Sequence, residues 1–274
     1  MPGWPSGRAM AAIFLPEHPA IPGYEPVQLL GRNGGIVYLA RRVSSGELVV
    51  LRVACEPWFA DYLGTRDALL LSLDHPNILR VFEIGDVGGR AYAAEEYIKR
   101  TLADRLGDGP LPAAQAVLLT RTLALTLGYV RNHHMIQPNL TPTTILLTDK
   151  NDPKLFDLEL TEVVEKWDAQ KRVRAMRPAF SAPEDLAGGN IVSVRTDVYR
   201  VGATMYAMLT SQPPFACDNR EIVTAVLEQI PASLRQLNAA VPRGVEAVCF
   251  KCLEKRPEHR YASLQELADA LARL

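Results

Sequence analysis

Gly31-Arg32-Asn33-Gly34-Gly35-Ile36-Val37-Tyr38 is a glycine-rich turn that runs into a strand pattern, and the segments around it set the architecture. Upstream, Val27 to Leu30 reads as a strand. Downstream, Ile36 to Arg41 and Glu47 to Val53 read as two more, joined by the turn Ser44-Ser45-Gly46. This is an antiparallel meander. Pro57 to Leu73 interrupts it with a helical pattern weakened by Gly64, after which Leu79 to Ile84 and Ala91 to Tyr97 return to strands around Gly88-Gly89.

Beyond Tyr97 the period changes. Pro112 opens a helical segment to about His134, with Ala116, Leu119, Leu123, Leu127 and Val130 on one stripe. Ile145 to Leu147 and Lys154 to Phe156 flank the turn Lys150-Asn151-Asp152-Pro153 as a small hairpin. Helical patterns then cover Asp197 to Leu209, Asn219 to Gln229, Gly244 to Glu254 and Ser263 to Leu274. The chain is therefore α+β, a small strand-rich part followed by a larger helical one. Residues 1–22 carry Pro2, Pro5, Pro16, Pro19 and Pro22 without a sustained period, which predicts a flexible lead with order beginning near Tyr24.

With 48% hydrophobic and 22% charged residues over 274 positions, the composition is that of a globular protein and not of a disordered one. Lys plus Arg is 30 against 31 for Asp plus Glu, so no global attraction draws the chain to nucleic acid or an anionic membrane, and no nucleic-acid partner is expected. Cys55, Cys217, Cys249 and Cys252 are too few and too unevenly spaced for a disulfide framework, which predicts a reducing, cytoplasmic setting. The most apolar stretch, Ala113 to Leu127, is broken by Arg121, and no membrane span is expected. Ala9 to Leu15 is a short apolar run stopped by Pro16 without a small-residue cleavage site, so export is not expected.

Further segments fall into an order. After the glycine-rich turn come Asp74-His75-Pro76-Asn77-Ile78, Glu96-Tyr97-Ile98, Leu140 to Leu147, Phe156-Asp157-Leu158, Ala182-Pro183-Glu184, Thr196-Asp197-Val198-Tyr199 and Cys252 to Tyr261. In that order the chain resembles the bacterial eukaryotic-like Ser/Thr protein kinases, over about residues 23–274. The resemblance implies a two-lobed protein-kinase-like fold, with a small antiparallel-sheet N-lobe over 23–98 and a larger helical C-lobe over 99–274. It also implies ATP and Mg²⁺ as ligands, with Gly31, Gly34, Gly35, Val37, Arg52, Glu96 and Ile98 on the nucleotide and Asp157 on the metal.

Phosphoryl transfer asks for placement: a glycine cover, a cation on the phosphates, metal ligands and an acceptor for the hydroxyl proton. Several of these are altered. Gly31, Gly34 and Gly35 match the cover, but the turn is a residue short and Asn33 stands where a second glycine is usual, so the pattern equally suits a plain hairpin. Val49-Val50-Leu51-Arg52-Val53 resembles the family's Val-Ala-Ile-Lys, with a planar guanidinium replacing a compact ammonium. The helix glutamate that would hold this cation aligns with Arg66; two arginines repel unless a register shift brings Asp67 to Arg52. Glu95 occupies a position that ordinarily presents an apolar side chain to the adenine, and a carboxylate buried there is costly without a partner.

Where the family reads His-Arg-Asp-Leu-Lys-Pro-x-Asn, this chain reads Gln137-Pro138-Asn139-Leu140-Thr141-Pro142-Thr143-Thr144. Asn139 stands at the base position, and a neutral amide does not accept a hydroxyl proton as a carboxylate does. Thr144 replaces an amide ligand of the second metal ion, Thr141 removes a phosphate-facing cation, and Pro138 removes an arginine. Asp157 survives, with Glu159 in place of a glycine. Arg177 replaces the threonine that helps position a substrate hydroxyl.

The scaffold positions Pro142, Ala182-Pro183-Glu184, Asp197, Gly202 and Arg260 match the family, with Glu184 and Arg260 expected to pair and Asp197 to brace the catalytic-loop backbone. The pattern points to a pseudokinase that regulates or scaffolds a protein partner, such as another kinase or signalling protein. The alternatives are a weakly active Ser/Thr kinase and an ATP sensor without turnover. Cys249 and Cys252 read as helix core positions ahead of a zinc site, and His133 and His134 as a helix end. Lys171, Arg172, Arg174 and Arg177 read as a solvated loop face, with an acidic partner the next reading.

Overall fold

Alternating burial along Leu48–Ala54 buries Val49, Leu51 and Val53 and leaves Val50 and Arg52 half-buried, the signature of a strand with one face on a core. The computed structural model describes residues 21–32, 35–54, 57–161, 164, 177–188, 193–217 and 221–274, with Arg32 and 57–64 as backbone only. Two compact units emerge. The first takes in the described residues up to Thr65 together with Phe82–Glu95, and the second takes in Arg66–Val81 and Glu96–Leu274.

In the first unit, β1 (Tyr24–Arg32), β2 (Gly35–Arg42), β3 (Leu48–Ala54), β4 (Val81–Val87) and β5 (Arg90–Glu96) form one sheet in the order β1-β2-β3-β5-β4. The meander is thus present as read. Two register shifts in the β1–β2 pair fall between Pro26 and Gln28 and between Leu29 and Gly31. The core beneath is Tyr24, Ile36, Tyr38, Ala40, Val49, Leu51, Val53 and Ala94, and Ile21 is already buried against it. Pro57–Ser72 forms helix α1, close to its expected span.

In the second unit, β6 (Arg100–Thr101) leads into α2 (Leu102–Leu106), whose capping box joins Thr101 and Asp104. The apolar stripe of α3 (Ala113–Asn132) buries Ala116, Leu119, Leu123, Leu127 and Val130, as its period requires. Although α3 is long and apolar enough to cross a membrane by length and composition, that stripe packs into the unit's main core. Short strands follow: β7 (Met135–Ile136), β8 (Ile145–Leu147), β9 (Pro153–Leu155) and β10 (Glu159–Leu160), with β6-β8-β9 and β10-β7 pairing as two small sheets.

The remaining helices are α4 (Pro183–Leu186), α5 (Val194–Thr210), α6 (Ile222–Glu228), α7 (Leu234–Leu237), α8 (Arg243–Cys252) and α9 (Leu264–Leu271). Every residue of α5 from Thr196 to Leu209 is buried. A Cβ at Gly202 would lie 2.3 Å from the Cβ of Cys252, so glycine is what lets α5 and α8 approach. Cys249 and Cys252 are core residues of this helix pair, and burial pushes both thiols well above their usual range.

Buried charge fixes the helical scaffold. Arg260 donates to both carboxylate oxygens of Glu184, at 2.6 and 2.9 Å, and also to the carbonyls of Glu254, Arg195 and Lys255. That pairing is the expected one. Asp197 is different: its carboxylate accepts from Arg131 and from Arg200, at 3.2 Å for the latter. Among the described residues no catalytic-loop amide makes the expected brace with Asp197, and an arginine network holds the carboxylate instead. Arg200 also forks onto Asp185, at 2.9 and 3.3 Å.

Candidate functional site

Strand register in the first unit brings two of the sequence-derived positions together. Val37 on β2 lies directly opposite Arg52 on β3, and both side chains are half-buried, on the face away from Tyr38 and Leu51. At Gly31 a Cβ would meet nothing within 4 Å, so the fold itself does not demand glycine there. Gly35 begins β2 and is buried, and Gly34 lies outside the described residues.

On β5, Glu95 supplies what the sequence left unresolved. Arg52 Nη2 donates to Glu95 Oε2 at 3.2 Å, with side-chain exposures of 19% and 5%. The two residues that depart from the family on neighbouring strands answer one another: the buried carboxylate gains a counter-ion and the guanidinium gains an anion. The helix arginine finds its own partner. Arg66 donates to Asp67 at 2.7 Å and to the Leu158 carbonyl at 2.7 Å, both deep in the second unit. Each of the two arginines thus has a carboxylate of its own unit beside it.

The catalytic-loop residues of the second unit are committed to one another. Gln137, where the family has histidine, donates through Nε2 to the Phe156 carbonyl and accepts the Asn139 amide through Oε1 at 3.2 Å. Thr144 Oγ1 donates to the Asn139 carbonyl at 2.8 Å and accepts the Thr141 amide at 3.0 Å. Thr141 and Thr143 share a hydroxyl bond at 2.8 Å. Small hydroxyls and one buried amide thereby hold a tight loop without the usual charged residues. The Asn139 carboxamide itself takes no hydrogen bond among the described residues. Sequence reading passed over Gln137, although its place at the histidine position was the available signal.

Asp157 follows Phe156 with φ of 60°, a left-handed conformation rare for a residue with a Cβ. Its carboxylate is half-buried and takes no hydrogen bond or ion pair among the described residues. Glu159, two positions on, is extended backbone paired with Ile136, a conformation open to a residue with a Cβ. Glu96 accepts from Lys154 Nζ at 2.7 Å and from the Arg80 amide at 3.2 Å, while Ile98 is half-buried two positions on. Arg177 is exposed; Lys171, Arg172 and Arg174 lie outside the described residues. Among the described residues no group of three His, Cys, Asp or Glu could hold a metal ion.

The model of the protein kinase domain family matches residues 24–271. The chain belongs to that family. The kinase domain is 33% identical to the DNA damage-responsive serine/threonine-protein kinase RqkA of Deinococcus radiodurans, an alignment covering 91% of this chain and 39% of that one. It is 27% identical to the serine/threonine-protein kinase PknB of Mycobacterium leprae, covering 92% and 43%. It is 22% identical to PrkC of Bacillus subtilis, covering 89% and 39%. The domain spans about two-fifths of the length of these relatives. Its antiparallel sheet and its helical part agree with the two-lobed α+β kinase fold.

For ATP and Mg²⁺ the residues of the kinase domain fit in part. In the first unit the space at Gly31 would admit a phosphate, and in the second Asp157, whose carboxylate takes no partner among the described residues, could hold one metal ion. Against them, the Thr144 hydroxyl is already bonded within the loop and Glu95 already engages Arg52.

Proposed function

We propose that this domain is a pseudokinase, a kinase fold that regulates or scaffolds a protein partner, such as another kinase, without phosphoryl transfer at ordinary turnover. The observation that carries this reading is the loop from Gln137 to Thr144. A carboxamide stands at the base position, and the hydroxyl that replaces a metal ligand is held on the Asn139 carbonyl at 2.8 Å. A substrate hydroxyl attacking phosphorus must give up its proton, and a positioned general base is worth about 10² to 10⁴ in rate. The intact scaffold around Glu184, Arg200 and Arg260 supports selection for a folded domain. Lobe surfaces and the exposed Arg177 with its basic neighbours in sequence are the surfaces such a partner would meet. The cytoplasm is the setting that free Cys217, Cys249 and Cys252 support.

The test is transfer of label from γ-labelled ATP to the domain itself and to a generic basic protein, with Asp157→Ala as control. Label no greater than in the control is expected. Turnover at the ordinary rate of a kinase, about 1 to 100 per second, lost in the control, overturns the reading. Asp157 favours a second reading, a nucleotide sensor that holds ATP with one metal ion and does not turn it over, because its backbone is left-handed and its carboxylate takes no partner among the described residues.

A further inference from the structure

We propose that Glu95 is an internal anion that holds Arg52 in place of a phosphate, so that the first unit discriminates against polyphosphate ligands by its own charge. The inference rests on the pseudokinase reading of the same site and names how its ligand selectivity is set. Three observations converge. The β2–β3 register puts Arg52 opposite Val37 on the half-buried face of the sheet, where a ligand along the glycine-rich turn would find a cation. The Glu95 carboxylate, at 5% exposure, has surrendered its water and lies 3.2 Å from Arg52. Gly31, in the same unit, has open space where a side chain would stand.

A phosphate seeking Arg52 therefore meets a carboxylate bound to the same guanidinium. It must displace a buried anion, and it must approach a second negative charge while doing so. Both effects oppose phosphate and neither opposes a neutral ligand. Glu95 is in this sense a specificity-determining residue, acting through Arg52.

The experiment compares the whole chain with Glu95→Met and with the double variant Arg52→Met, Glu95→Met, following thermal unfolding against ATP with Mg²⁺ and against tripolyphosphate with Mg²⁺. Wild type is expected to show no shift. Glu95→Met should gain roughly 5 °C or more with either ligand at 100-fold excess over Kd, and the double variant should lose that gain. An equal shift in wild type overturns the proposal, as does a folded Glu95→Met that does not respond. A gain that survives in the double variant, or appears with ATP and not with tripolyphosphate, also overturns it, since the opened space and not the Arg52 guanidinium would then be the cause. If Glu95→Met does not fold, Glu95→Gln keeps the volume and is read by equilibrium dialysis of labelled tripolyphosphate, where binding absent from wild type is expected and its absence from the variant is decisive against. Phosphoryl transfer by wild type, measured separately, would overturn the pseudokinase reading whatever these titrations give.

Discussion

Asn139 differs from an aspartate by one atom, and its carboxamide has no hydrogen bond to lose among the described residues, so Asn139→Asp should fold like wild type. It should nonetheless leave label transfer at background, because the Thr144 hydroxyl stays bonded to the Thr141 amide and the Asn139 carbonyl, the Thr141 hydroxyl stays on Thr143, and Glu95 still engages Arg52. Recovery of ordinary turnover from this one change, in the γ-labelled ATP assay, would show that only the base is missing. Arg260 invites the opposite experiment. Its side chain is fully buried and serves both Glu184 oxygens and three carbonyls, more than the three donors of an ammonium can reach. Arg260→Lys should cost about 1 to 3 kcal/mol in denaturant unfolding, because it keeps the charge for Glu184 and leaves part-buried carbonyls without donors; no measurable loss would mean the surrounding helices carry themselves. Each odd residue at the nucleotide positions was legible in sequence as a departure. That Arg52 and Glu95 complete one another was not, because 43 positions separate them and only the sheet makes β3 and β5 neighbours.

Elements with a strong period were the legible ones. The buried stripe of α3 and the β1–β2–β3 meander follow from spacing alone, since a repeat of 3.6 or 2 sorts apolar from polar without reference to the rest of the chain. Short elements were missed: α2, α4, α7, β7 and β10 are two to five residues long and exist because their neighbours hold them. The close approach of α5 and α8 is a contact of the same kind. Gly202→Ala should cost about 1 to 3 kcal/mol through overpacking, read by the denaturant midpoint. Cys252→Gly should relieve it and Cys252→Ala should not, because the clash is with the Cβ that alanine retains. At the start of α2, Thr101→Ala removes an acceptor for the Asp104 amide and should cost about 1 kcal/mol.

For the whole molecule, pH reports on the buried scaffold. Burial works to raise the Glu184 carboxyl, but the Arg260 fork and the Thr196 hydroxyl outweigh it and hold the group below its ordinary value. A carboxyl lowered on folding contributes stability that is complete above its unfolded value, about 4.3, and is lost as pH falls through the lowered one. Denaturant midpoints taken from pH 7 down to pH 3 should therefore drop on the acid side, and Glu184→Gln should be less stable at neutral pH and flatter below pH 5; equal acid slopes would remove Glu184 from the account. By itself the sequence determined the α+β division, the family and the positions where chemical groups are altered, because periodicity and motif order are properties of neighbours along the chain. Only the tertiary structure decided which distant charges compensate: Glu95 for Arg52, Asp185 for Arg200, and Arg131 for Asp197. Desolvation makes a buried ion intolerable alone and acceptable beside its opposite, and that opposite is chosen by packing in space and not by order in sequence.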